Sequence, residues 1–193
     1  MVEDHPEYAM RFPADDMERR KWQNPEVILS CIGLKEGDIF VDVGCGEGFF
    51  ALPAARIVGE KGKVYGIDIN PRAIEHLIQE AASRGLGSLE AITSEAEKTI
   101  ICTGCADVVF YGICLHDFSE PEKVLACARY MVNESGMLID LDWKPIPTPF
   151  GPPMAIRFPE EKAKAMIEQA GFRIQYVQEA GPWHYCIMAE PVT

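Results

Sequence analysis

Between Val41 and Gly48 the chain reads Val-Asp-Val-Gly-Cys-Gly-Glu-Gly, directly behind the apolar run Ile39-Phe-Val-Asp-Val43. A short apolar run bounded by turn residues is the mark of a buried strand. Glycines at alternate positions let the backbone turn sharply and let a ligand come close to it. Beyond them, 49–58 can form a helix ended by Gly59, although Pro53 inside it removes one backbone donor. Strand, glycine turn and helix in that order are the opening of a βαβ unit, in which the helix N-terminus faces a ligand. The rest of the chain is therefore predicted to alternate strands and helices around a parallel sheet.

The remaining pattern agrees. Pro25 opens a helix with Val27, Ile28, Cys31 and Ile32 at helical spacing and Gly33 as its stop. The second strand is 63–68, and Pro71 starts a helix through about Ser83 that Gly85 closes. Further strands are predicted at 89–93, 107–111 and 136–141, with helical stretches at 96–100 and 120–132. Toward the end, 160–170 reads as a helix stopped by Gly171. Segments 172–178 and 184–189 read as two strands turning at Gly181-Pro182. The expected fold class is α/β: a doubly wound, mostly parallel seven-stranded sheet with an antiparallel C-terminal hairpin. Residues 1–24, carrying Met10, Phe12 and Trp22 without sheet periodicity, are expected to form an arm or short helix over the active site, and 25–193 a single domain.

Composition narrows the partners. A chain of 193 residues fits one domain, and a net charge of −12 works against attraction to phosphate backbones, with a local basic run at Arg19, Arg20 and Lys21. A nucleic-acid partner is not expected. The longest apolar runs fall well short of the roughly 20 residues of a membrane span, and the start, Met1-Val-Glu-Asp-His-Pro, is acidic, so the expected address is the cytoplasm. Seven cysteines, an odd number, read as reduced and mostly buried thiols. The Cys102-Thr-Gly-Cys105 spacing has no second pair to complete a zinc site, so no metal is expected and two cysteines flanking a turn are the preferred reading.

Spacing separates the glycine turn from a dinucleotide site. The fingerprint G-x-G-x-x-G begun at Gly44 needs a glycine at 49, where Phe49 stands. Instead the sequence supplies acid-x-G-x-G-x-G led by Asp42. At the end of the second strand Asp68 follows, 24 residues beyond Gly44, where a carboxylate can accept hydrogen bonds from ribose hydroxyls.

On these residues the chain resembles the class I (Rossmann-like) S-adenosylmethionine-dependent methyltransferases from about Pro25 onward, in particular small bacterial and archaeal methyltransferase-domain proteins related to the quinone-biosynthesis C-methyltransferases. The resemblance implies S-adenosyl-L-methionine as cofactor and S-adenosyl-L-homocysteine as product. It implies that Asp42 holds the cofactor's ammonium and that Gly44, Cys45, Gly46 and Gly48 surround its methionine and ribose. Ile69 would pack on adenine, Glu95 and the Ala96 backbone would meet the adenine amino group and ring, and Tyr111 would complete the set. Thr93-Ser-Glu-Ala96 stands where the family has Gly-Asp-Ala, so the acid is one methylene longer.

The methyl acceptor is expected over the carboxyl ends of the fourth and fifth strands, at Tyr111-Gly-Ile-Cys-Leu-His-Asp117 and Leu141-Asp-Trp-Lys144. His116 is the candidate base, since its pKa lies near neutrality; a histidine capping the following helix is the alternative. Cys114, Asp117, Trp143 and Arg157 are candidate acceptor-binding residues, with His184 and Tyr185 behind them. Pro145 to Pro159 is either a lid over the site or structural padding, and Trp143 either lid or core. A small-molecule acceptor is the leading expectation. The alternatives are a protein or RNA substrate and a non-catalytic, cofactor-binding partner protein.

Overall fold

The structure, a computed structural model, describes residues 17–192. The predicted arm falls largely in 1–16, outside the described residues. Its described part is helix α1 (Met17–Trp22), followed by α2 (Pro25–Cys31), α3 (Ala51–Val58), α4 (Pro71–Ser83), α5 (Pro121–Met131) and α6 (Glu160–Gln169). The strands are β1 (Ile39–Val43), β2 (Lys63–Asp68), β3 (Leu89–Thr93), β4 (Ala106–Gly112), β5 (Val132–Trp143), β6 (Phe172–Ala180) and β7 (His184–Pro191). They form one sheet in the order β3-β2-β1-β4-β5-β7-β6. The first five pair in parallel, and β7 lies antiparallel between β5 and β6. The sheet is thus doubly wound and mostly parallel with an antiparallel C-terminal hairpin, as the sequence predicts.

Local chemistry sets the helix starts. The Asn24 side chain accepts the Val27 N–H at 3.0 Å and Pro25 occupies the first turn of α2; Asn70 and Pro71 repeat the device on α4. Helix α3 begins at Ala51, two residues later than predicted, so Pro53 falls in its first turn, where a missing N–H costs no intrahelical bond. The weak stretch expected at 96–100 is a single 3₁₀ turn, Ala96–Lys98. Strand β5 starts at Val132, four residues earlier than predicted and with no linker after α5.

Alternating residues of each strand pack two cores. Phe40, Phe110, Ile139 and Leu141 meet Leu52, Ala55 and Leu77 of α3 and α4 on one face. Val41, Val109, Tyr111 and Leu138 meet Leu125, Ala128 and Ile167 of α5 and α6 on the other. Each fully buried Leu, Ile or Phe of this set contributes about 1.5–3 kcal/mol.

The cysteine expectation needs correction. Cys102 and Cys105 form a disulfide, with Cα atoms 5.9 Å apart. The turn between them, with Gly104 at φ +60°, brings the two Cα atoms within bridging range. The other five cysteines are free.

Candidate functional site

In an open α/β sheet, ligands bind beyond the carboxyl ends of the strands where the strand order reverses. Here the reversal lies between β1 and β4. A cavity of about 400 Å³ opens there, lined among others by Asp42, Gly44, Cys45, Gly46, Asp68 and Ile69 at one end and by Gly112, Ile113, Cys114, His116, Asp117, Trp143 and Pro152 at the other.

The glycine turn is pinned to β2. The N–H groups of Gly44 and Cys45 both donate to the Ile67 carbonyl, at 2.8 and 3.1 Å. Gly46 N–H donates to Asp68 Oδ2 at 2.8 Å, and Asn70 N–H to Asp68 Oδ1 at 2.8 Å. Each Asp68 oxygen keeps a further lone pair toward the cavity. Gly46 has φ +53° and open space where a Cβ would stand, so a ligand can approach its backbone. Gly48 has a different job: a Cβ there would run into Leu77, so it serves the packing of α3 against α4 and does not line the cavity.

Asp42 is buried to 1 % and Oδ2 has no hydrogen-bond partner among the described residues. Burial, reinforced by the neighbouring Asp68 charge and opposed by Arg19 and the Ala51 N–H, lifts its pKa to about 7. An orphaned buried carboxyl beside an open glycine backbone fits an ammonium and the chain attached to it. Ile69, 71 % exposed at the cavity's edge, offers a flat apolar face beyond Asp68.

At the other end, His116 sits in a 3₁₀ turn, Leu115–Asp117, against β5. Its ring Nδ1 lies 2.7 Å from Asp142 Oδ1, and Nε2 is 3.2 Å from Asp117 Oδ1, an ion-pair distance without hydrogen-bond geometry. Burial pulls the imidazole pKa down, but Asp117 and Asp142 together raise it to about 10. The ring is therefore a cation at neutral pH, with no lone pair for an incoming proton, which argues against the general-base role expected from its intrinsic pKa. Nor does it cap α5: the N-cap position there is Glu120, with no side-chain cap bond.

Next to it, Ile113 takes φ +61°, a left-handed conformation unusual for a β-branched residue and of the kind that clusters at binding sites. Cys114 Sγ donates to the Val43 carbonyl at 3.0 Å, and burial pushes its thiol well above the ordinary range, so it is a neutral wall group.

Trp143 is buried to 1 %, yet its ring contributes to the cavity wall, so it is core and wall together. Arg157 is not in the wall. Its Nε donates to Pro152 O, Nη1 to Ile146 O and Lys144 O, and Nη2 to Thr148 Oγ1 and Pro152 O, while the guanidinium lies 4.8 Å from the Trp143 ring. It ties the proline-rich loop into a fixed shape that brings Pro152 to the cavity.

Glu95, Ala96 and Tyr111 also lie outside the lining. Glu95 pairs with Lys98 at 2.6 Å, Ala96 is buried under its turn, and Tyr111 OH donates to the Val124 carbonyl at 3.2 Å. His184 stacks on Trp22 at 5.4 Å behind Trp143, and burial and Arg19 hold it neutral, with its pKa pushed down to about 3. Tyr185 is buried, with its hydroxyl toward the Phe158 carbonyl.

Sequence reasoning missed Arg19 as a site residue. It takes Arg19, Arg20 and Lys21 for a basic patch. In the structure Arg20 pairs with Glu26 and Lys21 with Glu18, while Arg19 is buried to 6 % and lines the cavity. Asp142 was named only as part of the strand end Leu141-Asp-Trp-Lys144 and given no role of its own, although Asp at the end of a parallel strand was a usable signal.

Comparison with known proteins decides the family. The "Methyltransferase domain" pattern matches residues 34–178, well over half of the chain. The chain belongs to the class I S-adenosylmethionine-dependent methyltransferases. A solved S-adenosylmethionine-dependent methyltransferase from Aquifex aeolicus superposes on this methyltransferase with a TM-score of 0.87 and 32 % identity, over 92 % of this chain and 95 % of that one. Aklanonic acid methyltransferase of a Streptomyces species is 38 % identical over 96 residues, 49 % of this chain and 42 % of the relative. Demethylmenaquinone methyltransferase of Geobacillus kaustophilus is 28 % identical over 131 residues, 68 % of this chain and 55 % of the relative. The chain thus spans about half the length of these curated relatives. S-adenosylmethionine is the family's cofactor, and the orphaned Asp42 oxygen, the open Gly46 backbone and Asp68 fit it.

Proposed function

We propose that this methyltransferase moves the methyl group of S-adenosylmethionine to a small-molecule acceptor seated at the Cys114–His116–Trp143 end of the cavity. One observation carries the reading: the glycine turn with Asp42 and Asp68 shares a single chamber with His116, Asp117, Trp143 and Pro152. The two reactants can then meet in line, away from bulk water, where positioning supplies much of the rate. S-adenosylmethionine held there would supply an electrophilic methyl group on a sulfonium, whose sulfur would keep the bonding electrons as the acceptor takes the methyl.

In this reading Asp42 and Asp68 hold the ammonium and ribose, and Trp143, Ile113 and Pro152 wall the acceptor. His116 is a positioning residue: the imidazolium fixes Asp117, whose half-exposed carboxylate faces the cavity and accepts a hydrogen bond or proton from the acceptor. The named relatives act on aklanonic acid and demethylmenaquinone, which favours a small organic acceptor over a macromolecule. Among the described residues no helix is long and apolar enough to cross a membrane, and we place the protein in the cytoplasm.

The test is release of S-adenosylhomocysteine against a panel of small C-, O- and N-acceptors, with protein and RNA fractions alongside. Turnover with a small molecule that drops at least about 10²-fold in Trp143→Ala, as expected when acceptor positioning is lost, supports the reading. Turnover confined to the protein or RNA fraction, or none with cofactor bound, overturns it.

A further inference from the structure

The methionine end of S-adenosylmethionine is a zwitterion, and Asp42 answers only its ammonium. A buried carboxylate needs a cation or several N–H donors of its own. Among the described residues, two cationic side chains line the cavity, Arg19 and His116. His116 stands at the far end of the cavity, beside Asp117 and Asp142, whereas the Arg19 charge acts on Asp42. Arg19 comes from α1 and is buried to 6 %. Its guanidinium lies 3.7 Å from the Phe49 ring centroid and 5.5 Å from that of Phe50, the two residues that link the glycine turn to α3. Nε donates to Gln23 Oε1 at 2.7 Å, which fixes the plane of the group from its own helix. A guanidinium laid over an aromatic face directs its N–H donors along its edge, in the fork that matches a carboxylate.

Resting on the cofactor assignment, we infer that Arg19 binds the carboxylate of the cofactor's methionine end, so that Arg19 and Asp42 together form a site for the amino-acid zwitterion. The helix before the glycine motif is then part of the cofactor site. Its aromatic anchor, Trp22, packed on Trp143 and Phe150 at centroid distances of 5.7 and 4.8 Å, sets where the guanidinium stands.

Titration calorimetry with two ligands tests this without knowledge of the acceptor. S-adenosylhomocysteine carries both charged groups, and decarboxylated S-adenosylhomocysteine keeps the ammonium and lacks the carboxylate. The wild-type chain should bind the first at least about tenfold more tightly than the second, the scale of one charge-assisted contact. Arg19→Ala should lose that advantage by weakening only the first, and Arg19→Lys should recover part of it, with thermal melting confirming that each variant is folded. Equal wild-type affinity for the two ligands overturns the inference with no variant needed. So does an equal loss for both in Arg19→Ala, which would make α1 mere packing. If the wild-type chain binds neither ligand, the cofactor assignment falls as well, an outcome distinct from the other two.

Discussion

The carboxylate of Asp142 holds His116 by both its ring and its backbone: Oδ1 lies 2.7 Å from Nδ1 and Oδ2 accepts the His116 N–H at 3.3 Å. Oδ1 also accepts the Trp143 N–H at 2.7 Å. One side chain at the end of β5 thus fixes the turn after β4 and the residue beside it, two parts of the cavity wall proposed for the acceptor.

Burial opposes the charge on His116, but Asp117 and Asp142 raise its pKa to about 10, above the ~6.5 of an unfolded imidazole. A folded-state pKa raised in this way adds stability that is full below about pH 6.5 and is lost as the pH climbs through about 10. Asp142→Asn should therefore cost about 3–5 kcal/mol near pH 6, the scale for removing one partner of a buried ion pair. The deficit should shrink toward pH 10, which melting curves of both chains across this range would record. A deficit independent of pH would reduce Asp142 to packing.

Asp42 gives cofactor binding its own pH dependence. With a pKa of about 7 it is half protonated near neutrality, and only the ionised form pairs with an ammonium. Affinity for S-adenosylhomocysteine should rise between about pH 6 and pH 8, with close to half a proton released per ligand near pH 7. Calorimetry in buffers of different ionisation enthalpy measures the release, and Asp42→Asn should abolish it. Without ligand the sign reverses, since a raised carboxyl pKa is stability lost as the pH climbs through about 7.

Asp68 lines the cavity and also fastens the glycine turn, through its bonds from Gly46 and Asn70. Asp68→Ala should weaken S-adenosylhomocysteine binding by at least about tenfold, since each charge-assisted bond lost is worth roughly 1.5–3 kcal/mol. Asp68→Asn, which keeps one oxygen, should fall between. Unchanged affinity in a folded Asp68→Ala chain would remove the residue from the site.

How far the sequence reveals this molecule depends on whether a residue's task is local. Asp42, Gly44, Gly46 and Asp68 do their work within a turn and the strands beside it, so spacing alone points to them. All seven strands were legible: the five parallel ones read as apolar runs bounded by turns, and the antiparallel C-terminal pair as two runs turning at Gly181-Pro182. The role of Arg19 depends on a helix packing back over Phe49, and that of Asp142 on a register that sets β4 beside β5, and neither leaves a periodic trace. Arg157 misled for the opposite reason: an arginine in a proline-rich loop near a site suggests a ligand, but its donors go to the Thr148 hydroxyl and to backbone carbonyls of that loop and of Lys144 beside it. The Cys102–Cys105 bridge turns on local backbone geometry that a residue count cannot supply.

Asp140 carries a burial cost that no hydrogen bond among the described residues offsets. It is fully buried, neither carboxyl oxygen has a partner among the described residues, and burial, with the Asp142 charge added and His116 opposing, pushes its pKa well above the carboxylate range. Asp140→Leu removes an unsatisfied polar group from an apolar setting and should stabilise the fold by about 1–3 kcal/mol, a rise visible in thermal melting. A lower melting temperature would mean that Asp140 has a partner in the working protein.

Strand β7 sits between β5 and β6, so a chain emerging in order must leave β5 as an open edge until β7 arrives. His184 and Tyr185 pair with Trp143, which lines the cavity, and with Asp142, which holds His116. They are synthesised roughly 40 residues later, a delay of a few seconds at ~5–20 residues per second. The half of the cavity proposed for the acceptor is thus completed later than the glycine turn and β2, which can close as soon as they have emerged. A nascent chain captured before β7 would hold the glycine turn and β2 but lack the strand that pairs with Asp142 and Trp143.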